Sequence, residues 1–324
     1  QDENGARTLP TPRSWKVLKS RKKPIYDLSV TPQPDPDLPP GEVWQPKSLR
    51  HAFCRLDDDE VTLYRPQTQV NIHTQRDRVM GRATEGSGAV FRYEALAPDQ
   101  TFAGVILCPA DEVAKTLTDI LAGGVLFLGG SRHAGYGLVT VDDIKSSEEW
   151  QEAPSQIADV PCGERLALTL LSDALLRDAR GQYVGALTSA CLQKCLGAEL
   201  TLDAERTHAS NGIIGGFNRK WGLPLPQVPV AQAGSVYTFR AEEEISAEQL
   251  AGLLARGIGE RRVEGFGRLA CNWHADYDEL TRLSPQREEY MEEPTLSNSS
   301  AEIARRMANR MLRRRLDRQL RERV

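Results

Sequence analysis

Two glycine-rich loops that carry arginine restrict most strongly what this chain can fold into. The later loop reads GIGERRVEGFGR at residues 257–268, and a looser copy, GGSRHAGYG, occupies residues 129–137. Each loop follows a helix-like stretch, contains a glycine-aromatic-glycine step and precedes a strand-like segment. The same local unit therefore occurs twice, and internal repetition of this kind predicts two similar folded units.

The residue types in these loops favour contact with an anionic polymer. Glycine allows left-handed backbone conformations and close approach of another backbone, and arginine offers a planar set of donors that suits phosphate. The alternative is a pair of hairpins in which the glycines only permit tight turns, because a glycine-rich loop by itself is weak evidence. Both interpretations remain open at this point.

The spacing excludes the common mononucleotide and dinucleotide sites. A dinucleotide-binding fingerprint requires a third glycine three residues after the second, and Arg262 occupies that position. A phosphate-binding loop of the Walker type ends in Gly-Lys-Ser or Gly-Lys-Thr, and the sequence contains neither. The loops are therefore not expected to hold a nucleotide cofactor.

Composition indicates a protein with two domains and no bound cofactor or metal. The length of 324 residues suits two domains, and no apolar run approaches the roughly 20 residues that span a bilayer. The six cysteines include no Cys-x-x-Cys pair. Cys191 and Cys195, four residues apart in a helix-like run, are core thiols or metal ligands, and nearby partners for a metal are lacking. A cytoplasmic location is expected, without membrane contact.

The charge is unevenly distributed along the chain. The formal net charge is −4, but residues 299–324 contain nine arginines and three acidic residues. A local positive track matters more for single-strand binding than the overall charge does. An acidic total therefore predicts an RNA-binding protein that works inside a larger particle.

Three motifs, in order along the chain, carry a family resemblance. They are HTQRDRVMGRATEG at 73–86, GGFNRKWGLP at 215–224 and the glycine loop at 257–268. Together they resemble the CRISPR-associated RAMP superfamily, and in particular the double-RAMP (Cas5-like/Cas7-like) backbone proteins of type III-D effector complexes. The matches span residues 70 to 273.

The resemblance implies an α+β fold with two ferredoxin-like (RRM-like) RAMP units, antiparallel sheets and a C-terminal helix. The opening strand and helix of a first unit are not found before Leu63, so we expect that unit to lack its N-terminal part. The expected segments are a proline-rich irregular segment (1–48), a first RAMP unit (49–145), a linker (146–162), a second RAMP unit (163–275), and an acidic linker with a basic amphipathic helix (276–324).

The resemblance also implies a non-catalytic subunit that binds crRNA, the guide RNA of the complex, near its 5′ handle. Expected partners are crRNA, target RNA, the large polymerase-like subunit and adjacent backbone RAMP subunits. The expected RNA-binding residues are Gly257, Gly259, Arg261, Arg262, Gly265, Gly267, Arg268, Arg132, His133, Gly135, Tyr136, Gly137, His73, Arg76, Arg78, Arg82, Arg219 and Lys220.

Two other functional classes remain as alternatives. A RAMP-type endoribonuclease that processes pre-crRNA or cuts target RNA would use an imidazole as acid or base. His73 and His133 are the only histidines inside the motifs, and no motif matches a nuclease site, so no catalytic residue is predicted. A scaffold without RNA contact is the third class, and two arginine-bearing loops argue against it.

Three further segments have open interpretations. The basic stretch 15–23, which includes Trp15, is either a loop that contacts RNA or a neighbouring subunit, or a solvated turn. Trp221 either stacks on RNA or packs in the core. The amphipathic helix near 299–320 is expected to dock on a partner or on the RNA backbone rather than on a membrane surface.

Overall fold

A computed structural model describes residues 7–20, 23–34, 38, 43–49, 52–75, 89–147, 153–218, 220–283, 302, 305–310 and 312–313. The chain divides into two units, residues 1–283 and residues 284–324. The first is an α+β structure in which strands predominate.

The strands are short and are distributed along the whole first unit. They are β1 (Leu9–Pro10), β2 (Trp15–Leu18), β3 (Ile25–Asp27), β4 (Pro46–Ser48), β5 (Phe53–Asp57), β6 (Glu60–Tyr64), β7 (Thr68–Gln75), β8 (Ala89–Leu96), β9 (Val125–Phe127), β10 (Leu138–Thr140), β11 (Arg165–Leu170), β12 (Leu176–Arg177), β13 (Tyr183–Val184), β14 (Leu200–Leu202), β15 (Asn211–Asn218), β16 (Leu223–Ala231), β17 (Val236–Ala241), β18 (Leu269–Cys271) and β19 (Glu279–Leu283).

The helices of the first unit are α1 (Asp111–Leu121), α2 (Ser189–Leu196) and α3 (Ala247–Arg256), with 3₁₀ turns at Arg132–Ala134 and Arg262–Glu264. The helix-like stretch expected before the first glycine loop and the helix-like run that contains Cys191 and Cys195 are confirmed as α1 and α2. α3 begins with a reciprocal capping box in which Ser246 and Gln249 satisfy each other's backbone N–H groups. This cap fixes the start of the helix that leads into the second glycine loop.

A four-stranded antiparallel sheet forms the centre of residues 163–275. Its order is β14-β17-β11-β18, and its elements follow one another along the chain as β11, α2, β14, β17, α3 and β18. The hairpins β12–β13 and β15–β16 are inserted into this succession. Leu166, Leu168 and Leu170 of β11 alternate toward a core that α2 and α3 complete.

The opposite face of this sheet is covered by a second sheet, of seven strands. Its order is β1-β5-β6-β19-β3-β2-β4, and only the β6–β19 pair is parallel. Trp15, Ile25 and Leu280 from this sheet pack with Ala270 and Trp273 in a second core. The four-stranded sheet is therefore buried on both faces.

The expectation of irregular structure at residues 1–48 is wrong, because four strands of the seven-stranded sheet lie there. Trp15 is fully buried. It is therefore part neither of a loop that contacts RNA or a neighbouring subunit nor of a solvated turn. The acidic linker expected from residue 276 also needs correction. Its residues 279–283 form β19, with Leu280 fully buried between β6 and β3.

The described residues between 65 and 147 expose much of their apolar surface. They form the hairpin β7–β8, the helix α1 and the hairpin β9–β10, and each hairpin is a separate two-stranded sheet. Between Leu63 and Ala153 no described residue is buried. The described structure thus shows no four-stranded sheet in residues 49–145, since β5 and β6 belong to the seven-stranded sheet.

In residues 284–324, the described positions 302, 305–310 and 312–313 are helical. Arg306 donates to Glu302 one turn earlier, at 2.6 Å. Residues 299–301, where the amphipathic helix is expected to begin, lie outside the described residues. None of the helices in the described part of the chain is long and apolar enough to cross a membrane.

Candidate nucleic-acid interface

The second glycine loop is a closed backbone structure between α3 and β18. The N–H of Ile258 donates to the carbonyl of Gly267 at 2.9 Å, which closes the loop at its base. Arg261 has a left-handed backbone (φ 55°), and so has Gly265 (φ 89°) on the other side of the 3₁₀ turn. A side chain at Gly267 (φ 74°) would overlap the carbonyl oxygen of Ile258, so only glycine fits there.

The first glycine loop repeats this backbone almost residue for residue. The N–H of Leu128 donates to the carbonyl of Gly137 at 2.8 Å, and Ser131 takes the left-handed conformation (φ 59°). Gly135 again ends a 3₁₀ turn, with φ 85°. The expectation that the two loops are copies is therefore confirmed by their geometry.

The arginines of the second loop already have contacts within the protein. Arg261 donates twice to the carboxylate of Glu264, at 2.7 and 2.6 Å, and lies over the ring of Phe266. Arg262 donates to the carbonyl of Arg256, and Arg268 to that of Ala255. Hydrogen bonds from Arg261 lower the pKa of Glu264, so this carboxylate stays charged at neutral pH.

The glycine amides of this loop also donate within the protein. Those of Gly257, Gly265 and Gly267 reach the carbonyls of Leu253, Arg262 and Asp173. In this conformation these amides hold the loop in shape, and the RNA-binding role predicted for them stays a prediction.

A second ion pair joins this loop to the hairpin β12–β13. Arg177 donates to Glu260 at 2.6 Å, and the Tyr183 hydroxyl donates to the same carboxylate at 2.8 Å. The hydrogen bonds of Arg177 and then of Tyr183 lower the pKa of Glu260. Sequence reasoning missed Arg177 and Tyr183, because only the fold brings residues about 80 positions apart to one carboxylate.

The charge around the second loop remains positive after these pairings. Arg177 pairs with Glu260 and Arg261 with Glu264, whereas three more arginines at the loop, Arg256, Arg262 and Arg268, donate to backbone carbonyls. All of these ion pairs are at least partly exposed, and such pairs exchange partners at little cost in water. The loop can therefore offer guanidinium groups to a phosphate chain without loss of its backbone shape.

The first loop carries an aromatic contact in place of the ion pairs. Tyr136 lies within hydrogen-bonding distance of His73 on β7, with 2.6 Å between the hydroxyl and Nε2. Ser131 donates to the hydroxyl of Tyr93 on β8, also at 2.6 Å. Arg132 lies over the ring of Phe127 at 3.8 Å, and His133 is exposed. The fold thus brings His73, Arg132, His133, Gly135, Tyr136 and Gly137 together.

The remaining predicted residues lie elsewhere or outside the described structure. Arg76, Arg78, Arg82 and Arg219 are outside the described residues. Lys220 is exposed at the turn of the hairpin β15–β16, and its neighbour Trp221 is 71% exposed. The core interpretation of Trp221 is therefore wrong, and a stacking role stays a prediction.

The two cysteines predicted to be core thiols or metal ligands both lie on α2. Cys191 and Cys195 pack against the core beneath α2. Among the described residues, no group of three His, Cys, Asp or Glu side chains is placed to hold a metal ion.

The duplicated arginine-bearing loops on an α+β frame define the class of protein that the sequence motifs indicated, the CRISPR-associated RAMP proteins. A family model described as CRISPR-associated protein (Cas_Cmr3) matches residues 38–272, and the chain belongs to this family. It is a subunit of a CRISPR type III effector complex. Comparison with curated proteins gives no match.

Proposed function

We propose that this chain is a non-catalytic subunit that binds crRNA, near its 5′ handle, in a type III-D effector complex. The large polymerase-like subunit and neighbouring backbone RAMP subunits would be its protein partners. We propose further that residues 163–275 are a ferredoxin-like unit, and that residues 49–145 are a second, opened version of it. The order β14-β17-β11-β18, with two helices on one face, supports the first of these assignments.

One observation carries the RNA-binding proposal. The chain builds the same strained loop twice, with left-handed Ser131 and Arg261 at equivalent positions, and surrounds the second copy with an excess of guanidinium groups. A non-glycine residue in this conformation costs free energy and often marks a functional site. Single-stranded RNA has the phosphate spacing and charge that such a rim of donors can follow.

One face of the four-stranded sheet is covered by protein, which supports the proposal that residues 163–275 contact RNA through the glycine loop. RNA-binding modules of this topology often stack bases on the sheet face opposite the helices. In this chain Trp15 and its neighbours cover that face, whereas the loop and its arginines are accessible.

We expect that Arg261→Ala with Arg262→Ala weakens binding of crRNA by about tenfold to a hundredfold, because two charged hydrogen bonds to phosphate are lost. The salt dependence of log K should become shallower by about 1.4, as for two fewer contacts to a single strand. Titration of labelled guide RNA into the purified chain at several salt concentrations measures both quantities.

The matched control is Glu264→Ala, which removes the partner of Arg261 and leaves both arginines. Binding should be unchanged or stronger in this variant. Equal losses of binding in Glu264→Ala and in the arginine variant would mean that the ion pair only shapes the loop.

The position of the protein on the crRNA is tested by sequencing the RNA that is crosslinked to the tagged protein after it is purified with its complex. Reads concentrated on the 5′ handle are expected, and random cellular RNA would contradict the proposal.

An endoribonuclease is the second candidate, and the contact between His73 and Tyr136 favours it. An imidazole and a phenol at 2.6 Å form a pair that can exchange protons. Under the non-catalytic proposal, His73→Ala and His133→Ala leave the lengths of the guide and target RNAs unchanged. Loss of a cleavage product in either variant, with RNA still bound, would identify a nuclease instead.

A further inference from the structure

Four aromatic rings form a continuous cluster between β7, β8 and the first glycine loop. The ring of His73 stacks on Phe91 at 5.6 Å with an interplanar angle of 20°, and Tyr93 meets both rings edge-on at 5.4 Å. Tyr136 approaches Tyr93 at 5.4 Å and His73 at 5.5 Å. We call these four residues the aromatic platform.

The strand register separates aromatic from aliphatic side chains. His73 pairs directly with Phe91, and Asn71 with Tyr93, which places these residues on one face of the hairpin. The intervening positions Val70, Ile72, Val90 and Leu96 lie on the other face. A hairpin that only packs one apolar face against the protein would not need aromatic residues on one face and aliphatic residues on the other.

The platform is fixed in position but open to solvent. The hydroxyl of Tyr93 accepts from Ser131, and that of Tyr136 shares a hydrogen bond with His73, so both phenols are tied at their polar ends. Phe91 remains 40% exposed and Tyr93 38% exposed, whereas Tyr237 and Phe239 of the core are 1% exposed or less. Rings held in this way lose little conformational freedom when another flat group stacks on them.

Positive charge lies beside the platform. Arg132 directly follows Ser131 in the glycine loop that supplies Tyr136, and it is exposed. An aromatic surface next to a cation suits a nucleotide, whose base stacks while its phosphate pairs with the charge. An apolar peptide would instead favour the aliphatic face of the hairpin.

We propose that the aromatic platform stacks one unpaired base of single-stranded RNA on the ring of Phe91, with Tyr93 against the edge of that base and Arg132 at the adjacent phosphate. This inference rests on the proposed RNA-binding function and adds a defined nucleotide site to it.

The test uses the full chain and guide RNAs that carry 2-aminopurine at successive positions, because stacking quenches the fluorescence of this base. Quenching at one position is expected with the unaltered chain. Phe91→Leu with Tyr93→Leu should restore the fluorescence and weaken binding about fivefold to a hundredfold. Tyr93→Phe keeps the ring without the hydroxyl and should retain the quenching.

The matched control is Phe102→Leu, which removes a ring that is 52% exposed and lies outside the platform. It should leave both fluorescence and affinity unchanged. A thermal melt verifies that each variant is folded. If the unaltered chain binds no guide RNA, the proposed function itself fails. If it binds in an Arg261- and Arg262-dependent way, but without position-specific quenching or an effect of the leucine variants, only the platform proposal is overturned.

Discussion

Asp27→Ala should lower the free energy of unfolding by about 3–5 kcal/mol, because it removes one member of a buried hydrogen-bonded charge network. Asp27 is fully buried and accepts from Trp15 Nε1 at 2.9 Å and from the imidazole Nδ1 of His274 at 2.6 Å. Its other carboxylate oxygen accepts from both the backbone and the hydroxyl of Ser29. Alanine would leave these donors without a partner inside the protein.

This network also joins the two sheets. His274 lies within 2.9 Å of the hydroxyl of Thr169 on β11, so the chain of contacts runs from β3 of the seven-stranded sheet to the centre of the four-stranded one. Chemical denaturation of the variant at neutral pH, followed by tryptophan fluorescence, measures the loss. Asp143→Ala removes an exposed carboxylate paired with Lys145 and should change the stability by less than about 0.5 kcal/mol.

The same carboxylate predicts a dependence of stability on pH. Burial alone would raise the pKa of Asp27, but the charge and hydrogen bond of His274, with the two bonds from Ser29, outweigh it and hold the pKa below the ordinary value of 3.8. A depressed pKa stabilises the folded state at pH values above 3.8, and this contribution is lost as the pH falls through the folded-state pKa. Asp27→Asn should lack this part of the acid sensitivity. If the free energy of unfolding fell equally with decreasing pH in Asp27→Asn and in the unaltered protein, Asp27 would not be the source of this acid sensitivity.

The sequence predicted the second half of the chain well, because its elements have strong local patterns. The helix-like stretch before the second glycine loop became α3, and the strand-like segment after it became β18. The two glycine loops could be recognised as copies, since their left-handed positions require the glycines that mark the motif. The local sequence was sufficient for these elements, because a helix, a strand or a left-handed glycine is specified by neighbouring residues.

The N-terminal sheet could not be predicted in the same way. Prolines at 32–40 dominated the interpretation of a region in which the strands are two to four residues long. Trp15 and Asp27 are buried because β19 and His274 lie against them, more than 240 residues later in the chain. Such partners leave no periodic signal in the local sequence, and the same reason explains why the aromatic platform was not foreseen as a unit.

Gly267→Ala should destabilise the protein by about 3–5 kcal/mol, because two costs add at this position. The left-handed backbone is unfavourable for alanine, and the added methyl group would overlap the carbonyl oxygen of Ile258. The overlap is with backbone, so it can be relieved only by opening the hydrogen bond from Ile258 to residue 267, which closes the loop. The neighbouring β18 would then shift at its start. Thermal unfolding of the variant measures the effect.

Gly265→Ala separates the two costs. Gly265 has the same left-handed backbone, with φ 89°, but a methyl group there would meet nothing within 4 Å. Only the conformational cost of about 1–2 kcal/mol is expected, and the loop should keep its shape. RNA binding should accordingly survive in Gly265→Ala and fall in Gly267→Ala, because the latter displaces the frame that positions Arg261 and Arg262. Equal stability losses in the two variants would mean that close backbone approach is not what reserves position 267 for glycine.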